Sequence, residues 1–175
     1  MNLIKSISIL FFISFALYSY GQQRLIDWVN PFIGTSNYGA THPGAVMPSG
    51  MVSVVPFNVA FKKGEANQFE KDSEWHSRPY VFENKFLTGF SHVNLSGVGC
   101  PDLGSILLMP THGELELDPE QYGTTFTNQK SVPGEYSCTL EKYNIAVNVT
   151  ADIRSGFSRY TFPRGQANII LNLGL

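Results

Sequence analysis

The sequence predicts an all-β chain, an antiparallel β-sandwich that is incomplete at its C-terminus. Three observations predict it. Short apolar runs recur along the chain and several alternate apolar with polar residues, as half-buried strands do. Turn-forming clusters such as "SVPGE", "KYN", "RSG" and "PRGQ" separate them, and helical periodicity is nearly absent. The composition agrees: 15% of residues are charged and 13% are aromatic, against roughly 25% charged in an ordinary globular chain. The 175 residues suffice for about one domain. The balance of 12 Lys and Arg against 14 Asp and Glu offers no basic footprint for nucleic acid and no polybasic patch for a membrane surface.

The N-terminus reads as a signal peptide over residues 1–21. "MNLIKSISILFFISFALYSYGQQ" has a basic start at Lys5, a short apolar run, and small residues at Ser19 and Gly21. The run is shorter than the roughly 20 apolar residues a comfortable spanning helix needs; an anchor that stays in place is the alternative. The cut falls after Gly21, and no Cys stands there to take a lipid. This predicts a periplasmic or secreted protein with no membrane span after cleavage, and a β-sandwich domain over residues 22–175.

Within that domain, residues 29–57, "VNPFIGTSNYGATHPGAVMPSGMVSVVPF", open on a strand-like start. A long loop rich in Gly, Thr, Asn, His and Pro follows, and then a strand over 50–57. Loops of this length inside a compact domain are usually functional or disordered, and Phe32, Ile33, Val46 and Met47 argue against disorder. No GK[ST] follows, so it is no phosphate cradle. Next comes "DSEWHSRPYVF", residues 72–82, in which Trp75 and Tyr80 offer either a stacking platform for a sugar ring or ordinary core packing.

Residues 89–110, "GFSHVNLSGVGCPDLGSILLMP", place His92, Asn94, Ser96, Gly97, Cys100 and Asp102 between a strand at 86–90 and another at 105–109. A plain hairpin connection needs only two to five residues. Many short polar groups among glycines suit sugar hydroxyls, each of which wants several hydrogen bonds of fixed geometry. The plainer reading is that His92 and Asn94 satisfy backbone groups of an irregular loop. The expected substrate-binding set is His42, Trp75, His92, Asn94, Ser96, Gly97, Cys100 and Asp102.

Further strands are expected at 113–117, 135–143, 145–153, 157–162 and 168–173. In "IAVNVTADI", Ile145, Val147, Val149 and Ala151 fall on one face. Glu114 and Glu116 resemble a carboxylate pair, but an alternating strand makes them a solvated face opposite Leu115 and Leu117. Cys100 and Cys138 permit one disulfide without demanding it, and a buried free thiol is equally compatible. The closing "ANIILNLGL" is a strongly apolar strand with no polar tail, which reads as the front portion of a longer protein.

"VNPFIGT", "GATHPGA" and "PSGMV", together with "GFSHVNLSGVGCPDLGSILLMP" and "VPGEYSCTLEKYNIAVNVTADIRSGFSRYTFP", resemble the N-terminal domain of glycoside hydrolase family 92, exported bacterial α-mannosidases. The likeness spans essentially residues 27–174. It departs from the family pattern at Asn94, more often histidine there, and at Ser105, often acidic. The resemblance implies a two-domain, exo-acting, inverting enzyme that removes terminal α-mannose from glycans. It implies calcium as cofactor, with the ion's ligands and the catalytic carboxylates mainly in a C-terminal helical domain absent from this sequence. It therefore implies no catalytic residue here, an inactive fragment, and one wall of the mannose pocket built from residues 29–57 and 89–104. Two rival classes are a stand-alone carbohydrate-binding module and a Cys–His hydrolase built on Cys100 and His92, which lacks an orienting third group.

Overall fold

The computed structural model describes residues 24–59, 76–98 and 103–173. In chain order, a 3-10 turn at Leu25–Trp28 leads to β1 (Ala45–Val46), β2 (Ser53–Phe57), β3 (His76–Ser77), β4 (Phe86–Leu87), β5 (Gly89–Ser91), β6 (Val93–Asn94) and β7 (Gly97–Val98). Then follow β8 (Leu103–Ser105), β9 (Leu107–His112), the one-turn helix α1 (Pro119–Tyr122), β10 (Thr124–Val132), β11 (Glu135–Leu140), β12 (Ile145–Ala151), β13 (Gly156–Thr161) and β14 (Ala167–Asn172).

Two five-stranded antiparallel sheets form the sandwich. One runs β1-β2-β5-β9-β14, the other β13-β12-β11-β10-β4. Consecutive hairpins build the second sheet. In β12 the alternation expected from the sequence holds: Ile145, Val147, Val149 and Ala151 are buried and the residues between them are exposed. These side chains share one core with Ala45, Val54, Val55, Phe90 and Met109 of the first sheet and with Tyr80, Tyr122, Tyr136 and Leu140. The chain passes between the sheets at Thr88. The single strand expected over 86–90 is therefore two, with β4 pairing β10 and β5 pairing β2 and β9.

Strand β2 is buried along its whole length, which explains its nearly continuous apolar run. β3 and β7 make a two-stranded ribbon, and β6 and β8 make another. In its described residues, 89–98 and 103–104, the connection expected at 89–104 is a set of short paired strands rather than an irregular loop.

Three other expectations are corrected. Residues 29–33 form no strand. The Asn30 side chain accepts from the Phe32 amide (3.0 Å), and the Ile33 amide donates to the Asn30 carbonyl (3.2 Å), so the chain turns there. Residues 113–117 form no strand either. Glu116 Oε1 accepts from the amides of Leu117 (2.9 Å) and Asp118 (3.1 Å), and Asp118 caps α1 through the Glu120 amide (3.0 Å); these local bonds displace a ladder. Leu115 and Leu117 consequently lie in solvent, 52% and 68% exposed. Finally, β10, the longest strand, stands where no strand was expected. Its register slips between Thr127 and Lys130, with Asn128 at φ 54°. That bulge leaves Gln129 to accept from the hydroxyls of Tyr80 (2.7 Å) and Tyr136 (2.9 Å).

Candidate functional site

The site begins with what holds residues 34–44 in place. Thr41 donates its amide to the Gly34 carbonyl (3.2 Å) and its hydroxyl to the Ile33 carbonyl (2.9 Å). The chain approaches itself so closely that a Cβ on Gly39 would stand 2.0 Å from the Gly34 oxygen, so only glycine fits there. Arg78, buried, donates Nη1 to the carbonyls of Asn37 (2.6 Å) and Gly39 (3.1 Å).

Arg78 is in turn held by the stretch that follows it, which Asn58 clamps. Asn58 is fully buried. Its Nδ2 donates to the carbonyls of Val81 (2.8 Å) and Asn84 (3.0 Å), and its Oδ1 accepts from the Val81 amide (2.8 Å). Asn84 Nδ2 returns a bond to the Asn58 carbonyl (2.9 Å). Neither Arg78 nor Asn58 was among the residues expected at the site. The only signal for them is a polar residue, Asn58, ending an apolar strand, and a cation set among "SRPYVF".

The second segment folds onto the first. Ser96 donates its hydroxyl to the Ala40 carbonyl. Asn94 Nδ2 donates to the Ser53 carbonyl (3.1 Å) and hydroxyl (3.0 Å), while its Oδ1 accepts from the Ser91 hydroxyl (2.7 Å). Asn94 thus crosses from β6 to β2, and Ser96 crosses to the 34–44 turn. Gly97, at φ 145°, pairs with Ser77 in the β3–β7 ribbon, and no atom lies within 4 Å of where its Cβ would be. The structure therefore brings Asn94, Ser96 and Gly97 together with residues 37–53 into one rim.

The two histidines sit differently. His92 Nδ1 bonds the Ile106 carbonyl (2.8 Å), and its ring lies against Gly156 at the start of β13. Ile106 has φ 58°, an outlier for a β-branched residue. His42 is half-buried and its Nδ1 has no hydrogen-bond partner among the described residues. Burial lowers its pKa to about 4, so at neutral pH the ring is uncharged, with one nitrogen able to donate and the other to accept. His42 precedes β1 and His92 follows β5; these strands flank β2 on opposite sides, two strand spacings or roughly 10 Å apart.

Trp75, Cys100 and Asp102 lie outside the described residues. Cys138 is a buried free thiol, and burial pushes its pKa up to about 12, which makes it inert as a nucleophile. Among the described residues, the two segments carry no Asp or Glu, so this part of the rim holds no acid–base pair for glycoside hydrolysis. No group of three or more His, Cys, Asp or Glu among the described residues could hold a metal ion. Calcium prefers six to eight oxygen ligands, and the described rim does not fit it.

The sequence model described as the Glycosyl hydrolase family 92 N-terminal domain matches residues 28–175. A protein of Arthroderma benhamiae called an uncharacterized secreted glycosidase is 24% identical over 155 residues, which is 82% of this chain and 18% of that protein. The family GH92 α-mannosidase BT3965 of Bacteroides thetaiotaomicron superposes with a TM-score of 0.73 at 31% identity, over 86% of this chain and 20% of that one. Its complex with mannoimidazole gives 0.74 and 32% over the same shares. The inverting mannosidase BT2199 of the same bacterium, at 20% identity and a TM-score of 0.60, shares the fold. The chain spans about a fifth of the length of these relatives.

Proposed function

Since the chain belongs to the glycosyl hydrolase family 92 N-terminal domain family, we propose that it is the N-terminal β-sandwich portion of an exo-acting, inverting α-mannosidase and that its rim forms one wall of the mannose pocket. The observation that carries this is the stitching of the two glycine-rich segments through Ser96 to Ala40 and Asn94 to Ser53. It sets short polar groups and a neutral imidazole along one rim that offers no carboxylate in its described part. Inversion requires an acid and a base on opposite faces of the sugar with room for water between them. In this reading both carboxylates, and the oxygen ligands of a calcium ion, come from outside the described residues.

The wall's own work is binding and orientation. Hydroxyl, amide and imidazole groups hydrogen-bond mannose hydroxyls, and glycine backbone lets the ring approach. Trp75, Cys100 and Asp102 join the proposed wall on the strength of the sequence pattern. Export through the signal peptide at 1–21 belongs to the same proposal. It is supported by the secreted relative, and no described helix is long and apolar enough to cross a membrane.

The test uses a polypeptide that carries this segment together with the remainder of a family 92 enzyme. Ser96→Ala and His42→Ala each lower kcat/KM for an aryl α-mannoside by about tenfold, while the thermal transition stays cooperative. Unchanged kcat/KM in both variants removes the rim from the pocket.

A further inference from the structure

The outer face of the hairpin sheet carries a feature that the pocket-wall reading does not use. On β11, β12 and β13 the outward positions are polar or small, as a solvated face requires, except at Phe157, which is 60% exposed. The register places Phe157 directly opposite Thr150, Thr150 opposite Glu135, and Arg159 opposite Asn148, so all five side chains share that face. They line a shallow depression of about 480 Å³.

Among the described residues, the side chains of Glu135, Asn148 and Arg159 have no hydrogen-bond partner. Glu135 and Arg159 form no ion pair with each other. Thr150 donates to the Gly134 carbonyl (2.8 Å) and keeps its lone pairs. The depression therefore offers a carboxylate that only accepts, a guanidinium that only donates, an amide that does both, and an aromatic face.

We propose that this depression binds a pyranose unit of a neutral glycan, with the C–H face of the ring stacked on Phe157. The chemistry selects that class. A phosphate or carboxylate ligand would meet Glu135, and a cation would meet Arg159, so neither charge sign is favoured. A purely apolar ligand would cover four polar side chains, Glu135, Asn148, Thr150 and Arg159, without bonding them. A neutral sugar matches all of them at once, since its hydroxyls donate and accept around an apolar face. The site lies on the outer surface of the second sheet, shares no residue with the rim, and stands whether or not the rim forms a pocket wall.

Affinity electrophoresis of the purified chain through gels containing yeast mannan, xylan or hydroxyethylcellulose tests it. At least one polysaccharide retards the chain, and Phe157→Ala and Arg159→Gln each weaken that retardation about tenfold with unchanged near-UV circular dichroism. Glu114→Gln, at an exposed position outside both sites, is retarded like the parent. Should Phe157→Ala fail to fold, Arg159→Gln decides alone. No retardation in any gel, retardation equal to the parent in a folded Phe157→Ala, or loss in Ser96→Ala but not in Phe157→Ala overturns the proposal. The last of these outcomes would instead place the sugar at the rim.

Discussion

The hairpin sheet and the rim are held together by different forces. From β10 to β13 the strands are six to nine residues long, joined by tight turns, and stabilised by a backbone ladder over an alternating apolar face. Around the rim, β1 and β3 to β8 are only two or three residues each. Ladders that short stabilise little alone. What fixes the rim is a set of side-chain bonds to distant backbone: Asn58 to 81–84, Arg78 to 37–39, Asn94 to Ser53, Ser96 to Ala40 and His92 to Ile106. The difference teaches where single substitutions act. In the hairpin sheet, loss of one polar side chain leaves the ladder intact; at the rim, it releases a segment.

The largest expected effect is therefore at Asn58. Asn58→Leu leaves the Val81 amide and two carbonyls buried without partners and destabilises the chain by about 4 kcal/mol, read as a shift of the urea midpoint. A loss similar to that of a surface hairpin substitution such as Thr139→Ala would erase the contrast between the two regions.

His42 comes next. Its folded-state pKa, about 4, lies below the ordinary 6.5, so the folded state binds fewer protons than the unfolded one between those values. Its contribution is fully present above pH 6.5 and is lost as pH falls toward 4, by up to about 3 kcal/mol. Urea unfolding at a series of pH values shows this slope in the parent, and His42→Gln lacks it. Equal slopes in both proteins would mean that His42 is solvated.

Gly39→Ala places a Cβ against the Gly34 carbonyl and costs about 2 kcal/mol. Amide exchange speeds up over residues 34–41 while β11 and β12 keep their protection. Uniformly faster exchange would deny the rim its separate stability. The smallest effect is at Ile106, half-exposed with φ 58°. Ile106→Gly relieves strain against the entropy of glycine and stabilises by about 1 kcal/mol, seen as a rise in Tm; a fall in Tm would show that the side chain packs.

The sandwich was legible because its hairpin sheet obeys period two. Ile145, Val147, Val149 and Ala151 fall inward as the sequence pattern requires. β10 was hidden for two reasons. Its composition, "TTFTNQKSV", is polar, and a bulge at Asn128 reverses the alternation midway. The 113–117 strand was misread because Glu116 and Asp118 bond nearby amides, chemistry that an alternating pattern conceals. At the site, the two glycine-rich segments stood out by composition, and the structure brings them into contact. The residues that hold them did not stand out. Asn58 and Arg78 act across 20 to 40 positions of sequence, and no local pattern announces such a reach. Leu171 and Ile169 show the same limit at β14, an edge strand that turns both into solvent while Ile170 joins the core.

On the proposed reading, this segment shapes a mannose pocket without supplying the groups that break the bond. Incubation of the purified chain with an aryl α-mannoside, with and without added calcium, tests it most directly. No aryl alcohol is released above the uncatalysed rate under either condition; steady turnover that scales with chain concentration and survives repurification would mean that the segment itself supplies the acid and the base.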